Sequence, residues 1–265
     1  MHLVLGNPYS ENPASATATE LVEHARADVL YFFVADPEHC SVIFTSNASA
    51  ALKLVGESFP FRPGSRFTLL RDDHNSVLGI RMFAQAKGAD ITYLPLDDDL
   101  RLDASATIPP AGEAPSLFAF PGQSNFSGVK HRLSLIEEAR ELGYRVLLDA
   151  AAYAPTNRVD LDEFQPDFAA VAFYKMFGYP TGLGALIARK EALGELLEHF
   201  MGDASMLELC PALDRDAADT ARGALEGLSL HSPHAPVRGF AVLSLAAWIL
   251  RFDEEGVDEA IRLLE

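Results

Sequence analysis

Short apolar runs alternate with longer amphipathic stretches along the chain up to Phe200. That alternation predicts repeated β-α units and a mainly parallel sheet covered by helices. The runs SVIFT (41–45), RFTLL (66–70), DITYL (90–94), SLFAF (116–120), RVLLD (145–149), FAAVAF (168–173) and GALIA (184–188) predict strands. Several are apolar throughout, as strands buried on both faces are. Between them, apolar residues recur at three- and four-residue spacing. This predicts helices over Ala14–Val34, Ala48–Glu57, Ser76–Ala86, Leu133–Leu142 and Lys190–Phe200.

The stretch from Leu96 to Pro115 is rich in Asp, Ala and Pro and reads as a surface connection within one domain. After Phe200 the alternation stops, the chain reads as irregular to Pro236, and a helix pattern follows over Ala241–Phe252. The expected organisation is a large domain over residues 1–200, with 201–265 an irregular segment and the incomplete start of a smaller second domain.

Composition narrows the function. A net charge of −17 argues against nucleic acid, whose phosphates need clustered Lys and Arg. Two cysteines, Cys40 and Cys210, lie far apart and suggest neither a disulfide framework nor a zinc site, so a cytoplasmic setting is expected. No stretch approaches the ~18 apolar residues of a spanning helix, and the start lacks the pattern of a signal peptide.

In an open α/β sheet, ligands bind outside the carboxyl ends of the strands. After the first strand, Thr45-Ser46-Asn47-Ala48-Ser49 opens a helix and offers free N–H groups and hydroxyls to an anion. A plain helix cap by Ser46 or Asn47 is the alternative. After the second strand, His74 begins a helix, either as a cap or with its ring against a flat ligand. Asn125 supplies an amide in a glycine-bearing loop that also reads as a simple turn.

Asp149 ends an apolar strand among small residues, where an unpaired carboxylate is costly, so a helix N–H or a protonated ring nitrogen is called for. Lys175 follows another apolar strand in an aromatic turn, where desolvation is expected to lower its pKa and make it nucleophilic. Phosphate loop, ring, amide, carboxylate and amine, each after a strand, together suit pyridoxal 5′-phosphate.

The strings FPGQSNFSG, VLLDAAAY and FYKMFGYPTGLGALI resemble the class V aminotransferase and cysteine desulfurase family of fold-type I pyridoxal enzymes. They look most like the N-terminal desulfurase domain of molybdenum cofactor sulfurases, and GNPYSENPASA and IFTSNASAALKLV fit the same comparison. The resemblance covers roughly residues 5–200 and implies a mixed, mostly parallel seven-stranded sheet sandwiched by helices, pairing as a homodimer. It implies a transferase or lyase acting on a small amino acid, with L-cysteine and sulfur transfer as the leading case.

By the same resemblance Lys175 would carry the cofactor as a Schiff base and shuttle the substrate proton, and Asp149 would hold the ring nitrogen protonated. His74 would stack on the ring, Asn125 would bond its hydroxyl oxygen, and Ala48 N–H with Ser49 would bind the phosphate. The chain departs from the family pattern at Asn47 (often Gly), Ala152 (Gln, His or Ser), Ala172 (a phosphate-binding Ser) and Tyr174 (His in many desulfurases). The family's carboxylate-binding arginine and persulfide cysteine have no counterpart up to Glu265, and Cys210 reads as structural, so a truncated chain is expected. Other pyridoxal reactions, or a non-catalytic homologue serving as a subunit, are the alternative readings.

Overall fold

A computed structural model of the chain describes residues 5–9, 12–178 and 182–200. The expected helix over Ala241–Phe252 and the start of a second domain in 201–265 lie outside the described residues. Residues Ala27–Leu196 make one compact unit, and the stretch up to Arg26 groups apart from it. In that stretch Asn12 Oδ1 accepts from Ser15 N–H at 3.0 Å, capping the start of α1 (Pro13–Phe32). No helix among the described residues is long and apolar enough to cross a membrane.

The strands are β1 (Cys40–Thr45), β2 (Arg66–Leu70), β3 (Asp90–Leu94), β4 (Leu117–Pro121), β5 (Arg145–Asp149), β6 (Phe168–Ala172) and β7 (Gly184–Arg189). The helices after α1 are α2 (Ala48–Ser58), α3 (Asn75–Leu78), α4 (Ile80–Ala86), α5 (Leu135–Glu141), α6 (Leu161–Phe164), α7 (Phe173–Phe177) and α8 (Lys190–Phe200). The strands form a seven-stranded sheet in the order β1-β7-β6-β5-β4-β2-β3. Only β7 runs against its neighbours β1 and β6, so the sheet is mixed and mostly parallel, as the alternation of elements requires.

Side chains alternate across the sheet with period two. Phe118, Phe120, Val146, Leu148, Val171 and Ile187 pack on one face with Val29, Leu30 and Phe33 from the end of α1 and with Leu135, Ile136 and Ala139 of α5. The intervening residues serve the other face, where α2 lies over β6 and β7 and α4 over β3 and β2. Buried Ala51, Leu52 and Val55 line the inner side of α2, and Ile80 and Ala84 that of α4.

Differences from the expected boundaries have local causes. The helix expected over Ser76–Ala86 is interrupted at Gly79, where Met82 N–H bonds the carbonyl three residues back, at 3.1 Å. The strand expected to reach Phe173 ends at Ala172, and Phe173 instead begins the single turn of α7. Leu133 lies in the turn ahead of α5 rather than inside it.

One close approach fixes the start of α2 against the sheet. A Cβ at Gly184 would fall 2.6 Å from the Asn47 carbonyl carbon and 2.7 Å from Val171 O, so only glycine lets these backbones meet. Because the contacted atoms are backbone, relief requires moving a helix or a strand. Gly184→Ala is expected to lower stability by about 1–3 kcal/mol in urea unfolding. Unchanged stability would show that the approach is not tight.

Candidate functional site

A cavity of about 280 Å³ opens at the carboxyl ends of the parallel strands. Ser46, Asn47, Ala48 and Ser49 line it from the end of β1 and the start of α2, and His74 and Ser76 from the turn after β2. Pro121, Gln123 and Asn125 come from the loop after β4, Asp149, Ala151 and Ala152 from the end of β5, and Tyr174 and Lys175 from α7. Gly182 joins them because β7 runs the other way and begins at this edge. Every residue singled out from the sequence, Ala48, Ser49, His74, Asn125, Asp149 and Lys175, therefore lines one cavity.

At the start of α2 the cap and the anion site coexist. Asn47 Oδ1 accepts from Ala50 N–H at 2.9 Å, and Thr45 Oγ1 donates to Asn47 O at 2.8 Å to order the turn. The N–H groups of Ala48 and Ser49, in the first turn, have no carbonyl partner within the helix and form part of the positive end of the helix dipole. They are the groups that could hold an anion.

His74 is also a cap: its Nδ1 accepts from Ser76 N–H at 3.2 Å and lies 2.9 Å from Ser76 Oγ. A backbone N–H always donates, so Nδ1 is unprotonated and the neutral ring carries its hydrogen on Nε2. Ser76 Oγ in turn lies 2.5 Å from Ser49 Oγ.

Asp149 is buried at the end of β5, opposite Pro121 and Ala170, and its Oδ1 accepts from Ala151 N–H at 3.0 Å. Burial pushes its carboxyl above the usual range, while the Ala151 amide, the charge of Lys175 and the nearby His74 ring pull it back. Further acids stand in the turn after β2. Asp72 Oδ2 is 2.9 Å from His131 Nε2, with both side chains buried. Asp73 Oδ2 accepts from Leu70 N–H at 2.8 Å, and its Oδ1 is buried without a hydrogen-bond partner among the described residues.

The desolvation expected at Lys175 is not found: its side chain is exposed at the cavity, since α7 is one short turn at the end of the sheet with only Phe173 buried. Asn125 is exposed as well. Sequence reasoning missed Ser76, Gln123 and Tyr174 as lining groups, and Asp73 as a buried acid. The His-x-Ser spacing was the available signal for Ser76, since a hydroxyl two residues on can reach the capping side chain. Gln123 is held by Asn157, whose Nδ2 donates to Gln123 Oε1 at 3.4 Å while Lys130 Nζ donates to Asn157 Oδ1 at 2.6 Å.

Burial drives the Asp73 carboxyl well above its ordinary value, the Leu70 amide opposes this, and the charges of Asp149 and Asp72 add to it. An acid whose folded pKa is raised costs nothing below its unfolded value, where both states hold the proton. As pH rises toward the folded value, the unfolded chain releases the proton first and stability falls. The thermal midpoint of the wild type should therefore drop relative to Asp73→Asn as pH rises from about 4 to about 7. Parallel curves would show that Asp73 ionises in the fold as it does in the unfolded chain.

The Aminotransferase class-V family profile matches residues 4–226. Molybdenum cofactor sulfurase of Bos taurus is 41% identical over 222 residues, covering 76% of this chain and 25% of that protein. The Arabidopsis thaliana protein of the same name is 38% identical over 226 residues, covering 71% of this chain and 28% of that one. The chain thus spans little more than a quarter of the length of these relatives. The apo structure of a cysteine desulfurase from Thermococcus onnurineus superposes with a TM-score of 0.61 at 28% identity, covering 70% of this chain and 47% of that one. With this sheet, this cavity and these likenesses, the chain belongs to the class-V aminotransferase family.

Proposed function

We propose that the cavity binds pyridoxal 5′-phosphate and that the chain acts on a small amino acid in cysteine desulfurase-like sulfur transfer. The observation that carries this reading is the meeting of Asp149, Lys175 and the first turn of α2 in one cavity. An anion binder needs only the last of these, with or without a nearby amine, and a buried carboxylate does not serve that purpose.

Bound pyridoxal phosphate supplies an electron-accepting ring that stabilises negative charge at the α-carbon of an attached amino acid. The residues present fit such a group. Ala48 and Ser49 offer N–H groups and a hydroxyl to a phosphate at the positive end of α2. Asp149, with one oxygen held by Ala151, is left with acceptor capacity for a protonated ring nitrogen, which would return the partner that its burial removes. His74 presents its ring from the side of β2, Asn125 an amide from the side of β4. Lys175 places an amine where it can attach the cofactor and move a proton at the substrate's α-carbon.

With L-cysteine as substrate, the carbon–sulfur bond breaks, sulfur passes to an acceptor thiol as a persulfide, and the carbon takes a proton to leave alanine. Cys40 is unsuited to be that acceptor, because it is half-buried at the start of β1, away from the cavity, and burial pushes its thiol up. Cys210 lies outside the described residues. The same reading takes the chain to pair as a homodimer, which the exposed rings of Tyr31, Phe32, Phe126 and Phe177 support. It also takes the chain to work in the cytoplasm, supported by two cysteines with no disulfide framework in the sequence.

Purified protein given pyridoxal phosphate and freed of excess should show a visible band that sodium borohydride removes, and Lys175→Ala should not. With L-cysteine and a thiol reductant, the wild type should release sulfide and alanine in equal amounts, and Lys175→Ala should be slower by at least about 100-fold. No borohydride-sensitive band in folded wild type would overturn the cofactor assignment. A band without sulfide release would overturn the choice of reaction.

A further inference from the structure

We infer that Ser76 is a positioning residue that couples the phosphate-binding start of α2 to the His74 ring. The inference rests on the pyridoxal phosphate reading, and it concerns a residue to which that reading gives no role. Ser49 Oγ lies 2.5 Å from Ser76 Oγ, and Ser76 Oγ lies 2.9 Å from His74 Nδ1, so a continuous chain joins α2 to the imidazole through one hydroxyl. All three residues line the cavity. At the start of α7 the N-cap is Ala172, which carries no hydroxyl of its own.

Counting protons shows what the chain does. Two hydroxyl hydrogens serve two contacts, one between the serine oxygens and one to Nδ1. Nδ1 cannot donate, because Ser76 N–H already points at it. With nothing bound, Ser49 therefore donates to Ser76, and Ser76 donates to His74. An anion at the start of α2 takes the Ser49 hydrogen. The serine oxygens would then face one another lone pair to lone pair at 2.5 Å unless the Ser76 hydrogen turns into that gap. Nδ1 is left with the backbone N–H of Ser76 alone. Filling the phosphate site thus withdraws one of two donors from His74 and strengthens the Ser49 donor to the anion, since a polarised hydroxyl donates better.

The test follows the His74 ring nitrogens by 15N NMR in the full-length protein, with pyridoxal phosphate, inorganic phosphate and phosphate-free pyridoxal as probes. In the wild type, either phosphate-bearing probe should shift His74 Nδ1 in the direction of a lost donor, and pyridoxal should not. Ser76→Ala should abolish that shift and weaken pyridoxal phosphate about fivefold while leaving pyridoxal unchanged, and Ser76→Thr, which keeps the hydroxyl, should restore both. Ser49→Ala breaks the same chain from α2 and carries the test if Ser76→Ala does not fold; at saturating phosphate it too should leave Nδ1 unmoved.

An equal shift in Ser76→Ala, or an unmoved Nδ1 in a wild type that binds pyridoxal phosphate, would overturn the coupling and leave the cofactor assignment standing. A shift with inorganic phosphate in a protein that does not bind pyridoxal phosphate would do the reverse. A wild type that binds neither probe would overturn both.

Discussion

Asp149 holds one carboxylate oxygen against the Ala151 amide and keeps the rest of its acceptor capacity for the cavity, in a setting that resists its charge. A buried carboxylate so placed favours a cationic or strongly donating partner, and the cavity is where that partner must enter. The sheet explains its position. β5 sits centrally, with β4 and β6 on either side, and the loops leaving all three converge on its carboxyl end. From there, small residues (Ala150, Ala151) leave room above the strand end, α2 brings free N–H groups to one wall, and α7 brings an amine to another.

The capping groups illustrate how such a site is made from ordinary local structure. Asn47 and His74 both satisfy helix N-termini, and both line the cavity. Because each cap meets the N–H two or three residues further on, it spends none of the α2 groups an anion would use. Gly184 contributes from the opposite direction, by permitting the backbone at Asn47 to lie against β7. The buried acids Asp72 and Asp73 act differently: each keeps one oxygen without a hydrogen-bond partner among the described residues, and the charges of Asp149 and Asp72 add to the burial that resists ionisation of Asp73.

Most of this architecture was legible in the sequence because apolar runs in a doubly covered sheet are short, continuous and bounded by polar turns. RFTLL, DITYL and RVLLD matched their strands residue for residue. What failed to show was local. Periodicity cannot see a one-residue interruption such as Gly79, nor single turns such as α6 and α7, which are too short to express a period. The order of strands, with β7 reversed between β1 and β6, is likewise a tertiary fact. The site was read from strand-end residues, which worked for Asp149 and Lys175. Burial could not be read the same way, so Lys175 proved exposed although its flanks are apolar and aromatic. Ser76 escaped notice because its contact with Ser49 joins residues far apart in the chain.

The central claim is that Lys175 is the attachment point of pyridoxal phosphate. Borohydride reduction of the protein with its cofactor, followed by proteolysis and mass spectrometry of the peptides, tests it at residue level. The account predicts a phosphopyridoxyl adduct confined to the peptide containing Lys175. An adduct on Lys53, Lys87, Lys130 or Lys190 instead, or a spread over several lysines, would contradict it.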